Sequence, residues 1–266
     1  MQILEFFFVV GAFGGQFLVT LFEIKSFLLL GLGFIIPIVG IIIWPLPDLY
    51  DVLTEYEGEG LKLGFKSKFF VCMVFFCFAT AEMGIGSWMP TYSIKAGVAD
   101  TKGSSLFSLL FWGPNCLVRL LWIYMPVSIE KKLGVALNLV LVAAIITLFL
   151  QLSGQLEMVC YFAPISIGIF ISGVYGFSLS WTVNNGFAFC PEDNANFLLS
   201  YIIGEGLLIM PMGYTMGLFG FKSMIIEVCF FSLLTLIAFI FAVGSMEDDK
   251  SNYQMLSLEK KMEQIE

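Results

Sequence analysis

The sequence predicts an all-α transmembrane protein with about eight membrane-spanning helices. Three observations carry this. Hydrophobic residues make up 59% of the 266 and charged residues only 13%, where a soluble domain carries about 25% charged. Mean hydropathy is +0.92. Apolar runs of about 20 residues, enough to cross roughly 30 Å of hydrocarbon at 1.5 Å per residue, recur near 3–21, 26–46, 68–90, 104–126, 133–152, 158–181, 195–218 and 223–245. A backbone in hydrocarbon has no water to bond, so each run should close its hydrogen bonds internally as a helix.

Taken in order, the first run carries Glu5 in place of a basic leader and has no small-residue cleavage site after it, so it reads as a span, not a signal peptide. With the second run it makes a helical hairpin over 1–47. Gln16 lies beside the glycines of GAFGG, which permit close helix contact. Residues 48–67 form the one long internal polar segment, the expected central loop. Six runs follow over 68–245, joined by short connections that suit antiparallel neighbours. The segment 246–266 is a polar tail, and its MLSLEKKMEQIE reads either as an amphipathic surface helix or as disordered. Pro114, Pro164 and Pro211 fall inside runs, where a missing N–H and a ring clash predict kinks or local unwinding.

The net charge of −8 comes largely from acids in Asp48–Glu59 and after Glu247, a solvated loop and tail. No basic cluster exceeds two adjacent lysines, which excludes nucleic acid as a partner. Loop lysines set the orientation. One side holds Lys62, Lys66, Lys68, Lys131, Lys132, Lys250, Lys260 and Lys261, and the other Lys25, Lys95, Lys102 and Lys222. This modest bias places the central loop and both termini in the cytoplasm of an integral, multi-pass membrane protein.

The six cysteines lie mostly in apolar runs without Cys-x-x-Cys spacing and read as packing residues. The chain has no histidine, so the commonest metal ligand and neutral-pH proton carrier is absent. No H-E-x-x-H, G-x-S-x-G or G-x-x-x-x-G-K-[ST] pattern occurs. The expectation is no enzyme, no cofactor and no metal.

Charges inside spans usually face the bundle interior and often mark a solute or ion path. Glu82, Arg119 and Glu205 are the deep ones, whereas Glu5 and Glu227 lie near span ends and read as interfacial. Counted from the cytoplasmic span ends, Glu82 sits roughly 21 Å up, Arg119 roughly 10 Å and Glu205 roughly 15 Å. Depth pairs Arg119 with Glu205, and connectivity pairs it with Glu82. Such a pair serves either as glue within the bundle or as part of a solute path. Asn115, one turn before Arg119, could bond across helices or to a ligand. Trp88 reads as an interfacial belt residue or as a stacking platform for a sugar ring, and Asn184 and Asn185 as a helix cap.

Several stretches together resemble one family. AEMGIGSWMPTY (81–92) is similar to the seventh-helix pattern E-x-x-x-G-x-W-x-x-T-Y of sugar transporters in the major facilitator superfamily. FWGPNCLVRLL (111–121) is similar to the eighth-helix pattern F-W-G-x-x-x-x-x-R. IFISGVYGFSLS (169–180) resembles the tenth helix, and GEGLLIMPMGYTMG (204–217) the eleventh, with its G-E pair followed by a proline and glycines. The nearest group holds fucose permeases and sodium-dependent glucose transporter-like proteins, and the resemblance covers roughly 68–245.

The resemblance implies a partial major facilitator fold, in which 1–47 matches helices five and six and 68–245 the six-helix C-terminal half. Helices one to four would be missing, so a partner chain could be needed to supply them. It also implies transport of a small polar, sugar-like solute by alternating access, with a proton or sodium ion as the coupling partner and the lipid bilayer as solvent. Glu82, Trp88, Asn115, Arg119 and Glu205 would then line the solute site. The rival reading is a non-transporting scaffold or receptor-like subunit that keeps the fold.

Overall fold

The computed structural model describes residues 61–125, 127–187 and 190–263. The two expected spans of 1–47, and most of the central loop, lie outside the described residues. The described chain forms seven helices: α1 (Phe65–Lys95), α2 (Ser105–Tyr124), α3 (Ile129–Leu152), α4 (Leu156–Ile171), α5 (Val174–Asn184), α6 (Pro191–Leu218) and α7 (Ser223–Glu263). There is no strand among the described residues, only an isolated bridge between Leu61 and Phe187. Counting α4 and α5 as one interrupted span, six helices are long and apolar enough to cross a membrane. This is a multi-pass, all-α membrane protein.

α1 is the centre of the bundle. It packs against α7, α6, α2 and α4, and 67% of its apolar window is buried, against 17% for α6. A helix in the middle must be apolar all round, which explains why Phe75, Cys77, Phe78, Ala79 and Ala81, which point to different faces, are all fully or almost fully buried. Close approach depends on glycine. A Cβ on Gly204 of α6 would stand 2.4 Å from the Phe76 carbonyl oxygen, and one on Gly168 of α4 would stand 2.5 Å from that of Phe111. Only a hydrogen lets those backbones come so near.

Among the described residues, the one break within a span falls at Ser172–Gly173, between α4 and α5. Pro90, Pro114, Pro164 and Pro211 all sit inside continuous helices. Gly173 is pressed against the Phe177 ring, where a Cβ would lie 2.2 Å from a ring carbon. The interruption therefore falls at a glycine that lies against an aromatic ring and not at a proline.

The end of the bundle where α1 begins is tied by polar contacts. Lys68 pairs with Asp193 at 2.5 Å, joining the starts of α1 and α6. Asp249 accepts from the Gly64 N–H at 2.8 Å and from the Ser67 hydroxyl at 2.5 Å, so a carboxylate from α7 sits on the electropositive start of α1. Lys250 donates to Asn185 Oδ1 at 3.1 Å, and Lys132 donates to the Trp122 carbonyl at the end of α2 at 3.0 Å. The expected tail is thus helical through Glu263, and its first turn belongs to the bundle. At the opposite end, Gln151 accepts from the Tyr92 hydroxyl at 3.1 Å and donates to the Lys222 carbonyl at 2.9 Å.

Candidate functional site

Glu82 lies midway along α1 and is 1% exposed. Its Oε1 accepts from Arg119 Nη2 at 3.0 Å and from Asn115 Nδ2 at 3.1 Å. Arg119 Nε in turn donates to Asn115 Oδ1 at 2.9 Å, which closes a ring of three side chains. Asn115 and Arg119 stand four residues apart on α2, the spacing that stacks side chains on one helix face. The amide has one orientation that serves both neighbours, with its nitrogen toward the carboxylate and its oxygen toward the guanidinium. Glu82 Oε2 accepts from the Tyr201 hydroxyl of α6 at 3.1 Å. One buried carboxylate therefore binds three helices.

The ion pair shown joins Arg119 to Glu82, the partner suggested by connectivity and not the one suggested by depth. Counting rise from span ends treats every helix as upright and starting in one plane, whereas spanning helices tilt by about 20° on average. The long arginine stem covers the remaining offset.

Glu205 sits one turn beyond Tyr201 on α6, alongside that hydroxyl and within electrostatic range of Glu82 and Arg119. Its Oε1 is buried with no hydrogen-bond partner. Trp88 stands apart from the network. Its indole N–H donates to the Ile209 carbonyl at 3.0 Å, and its ring covers Gly213, where a Cβ would be 2.3 Å from a ring carbon. It therefore locks α1 to α6. Asn185 accepts from Lys250 and donates to the Trp181 carbonyl at the end of α5. Glu227 accepts from the Thr215 hydroxyl in a very short bond between α6 and α7.

Tyr201 is the site residue that sequence reasoning missed. Its ring packs edge-on to Tyr175 at 5.2 Å and lies 6.0 Å from Phe78, so an aromatic wall backs the carboxylate. A tyrosine in an apolar run draws no notice by itself. The available signal was its place one helical turn before Glu205, which puts a hydroxyl on the face that carries the acid.

Chemically the cluster offers a carboxylate, a guanidinium, an amide and a phenol, all converging in a low-dielectric interior. Such a set has the donors and acceptors that hydroxyl groups or a cation would need. Among the described residues, no group of three or more histidine, cysteine, aspartate or glutamate side chains could hold a metal ion. No family model matches the chain, and no curated protein or solved structure matches it significantly.

Proposed function

We propose that the chain is a secondary transporter of the major facilitator type that moves a small, sugar-like polar solute by alternating access. The observation that carries the reading is the Glu82–Arg119–Asn115–Tyr201 network, set where α1, α2 and α6 meet. Ionisable groups at membrane depth are costly, and they concentrate on solute and ion paths. A network made of contacts between different helices can also change as those helices rock, so a solute hydroxyl or a coupling proton or sodium ion can exchange for Asn115 or Tyr201 at the carboxylate. Where the fold is shared between chains, a partner chain completes the cavity wall.

A second reading has its own support. Glu82 is nearly inaccessible and its pair is internally satisfied, which equally suits a non-transporting scaffold that uses the network as glue. Uptake of labelled hexoses by proteoliposomes separates the two readings. Transport predicts uptake that is lost in a Glu82→Gln, Arg119→Met double variant of preserved stability. Folded protein without uptake, alone or with co-purified partners, leaves the scaffold reading.

A further inference from the structure

A second polar feature lies outside the ion-pair network. Between α1 and α2, toward the loop that joins them, a cavity of about 430 Å³ is lined by Met83, Gly86, Ser87, Pro90, Ser104, Ser105, Ser108 and Trp112. That volume falls within the range of small-molecule sites, roughly 300–1,000 Å³, and has room for on the order of ten waters. Four hydroxyls line it and no ionisable side chain does. Gly86 makes the floor: a Cβ there would meet the Trp112 ring at 2.9 Å. The Ser108 hydroxyl donates to the Gly86 carbonyl at 2.8 Å, which keeps its lone pairs available as acceptors.

The cavity is continuous in register with the network below it. Ser105, Ser108, Trp112, Asn115 and Arg119 follow one another on α2 at spacings of three, four, three and four residues, and so share one helix face. On α1, Glu82 precedes Gly86 and Pro90 by one and two turns. A polar seam thus runs from the α1–α2 loop toward the buried pair, with the Trp112 indole between its two parts.

We propose that this cavity is a water-filled vestibule that binds an uncharged, polyhydroxylated solute ahead of the Glu82–Arg119 network. Ser104, Ser105 and Ser108 donate to the Thr101, Lys102 and Gly86 carbonyls and so present their lone pairs as uncharged acceptors, and the Trp112 edge supplies an apolar wall, a combination that suits the donating hydroxyls of a sugar or polyol and disfavours ions. The solute class rests on the transport reading, but the cavity does not.

The test uses the full chain in proteoliposomes and does not require transport. Ser87→Cys and Ser105→Cys variants are exposed to a charged, membrane-impermeant thiol reagent and compared with the parent chain and with Leu117→Cys, whose side chain is 65% exposed on the outer face of α2. The vestibule predicts reaction several-fold faster at positions 87 and 105 than at 117. It also predicts protection by one or more of glucose, galactose and sorbitol, with the rate halved, by mass action, at a concentration equal to the Kd. Glutamate and choline should give no such protection. Rates at 87 and 105 no faster than at 117 overturn the water-filled vestibule. Reaction that none of the three polyols slows, or that the charged compounds slow equally, overturns the solute class. Protection without uptake leaves the vestibule standing and removes the transport reading, and uptake without protection keeps the transport reading and removes solute binding in the vestibule.

Discussion

An arginine held in hydrocarbon costs about 2.5–3.5 kcal/mol on insertion scales even before its partners are considered, so the ring of Glu82, Asn115 and Arg119 must be judged as a unit. Truncating one member of a buried pair strands the other charge and costs about 3–5 kcal/mol, whereas replacing both by apolar groups of similar volume is often close to neutral. We therefore expect Glu82→Gln and Arg119→Met each to lower the melting temperature in detergent clearly, and the Glu82→Gln, Arg119→Met double variant to recover most of the loss. Glu205→Gln with Arg119→Met should show no such recovery. Thermal melts of these four variants and of Glu205→Gln alone decide it, and additive losses in the first double would show that the pair is not coupled. Much of this site was legible in the sequence, because Glu82, Arg119 and Asn115 are anomalous in apolar runs. What was not legible was the choice of acid, which depends on tilt and stem length, and the part of Tyr201, whose hydroxyl is ordinary in sequence and decisive only through its 3.1 Å bond to Glu82.

At the scale of elements, hydropathy located the six described spans to within about four residues at most ends, because burying an unpaired backbone is forbidden over the whole thickness of the bilayer. It missed what local packing decides. The apolar run over 158–181 gave no hint of the break at Ser172–Gly173, where a glycine lies against the Phe177 ring. The end of α7 likewise extends well past the last apolar run, because Asp249 and Lys250 find partners on the bundle. Glycines sharpen the same point, since two on one helix differ completely. Gly204 is pressed on the Phe76 backbone, while Gly206 has open space where a Cβ would go. Gly204→Ala must push α1 and α6 apart and should cost about 1–3 kcal/mol, the usual price of overpacking. Gly206→Ala should be neutral or stabilising by up to about 1 kcal/mol through helix propensity. Paired thermal melts check this, and equal effects would mean that α6 does not approach α1 as closely as described.

For the whole molecule the governing fact is parity. Six spans return the chain to the side on which α1 begins, and the contact of Asp249 on α7 with Gly64 and Ser67 at the start of α1 brings those two ends together. That contact is also testable by itself. Asp249→Ala leaves the Gly64 N–H and the Ser67 hydroxyl without their acceptor, a loss worth about 1.5–3 kcal/mol for hydrogen bonds to a charged group, read as a lower melting temperature that Asp249→Asn partly restores. The side of the membrane is an expectation from the lysines, eight on the α1-start side against three on the other among the described residues. Lys102 lies in the α1–α2 loop and Ser251 in the projecting part of α7, and both are exposed. In intact cells, Lys102→Cys should react with an impermeant thiol reagent, and Ser251→Cys should react only after the membrane is permeabilised. Each rate is taken relative to the parent chain with its own six cysteines. Labelling of both from one side would break the six-span count itself. A clean reversal would keep the count and the fold, and would mean that a bias this modest does not set the orientation.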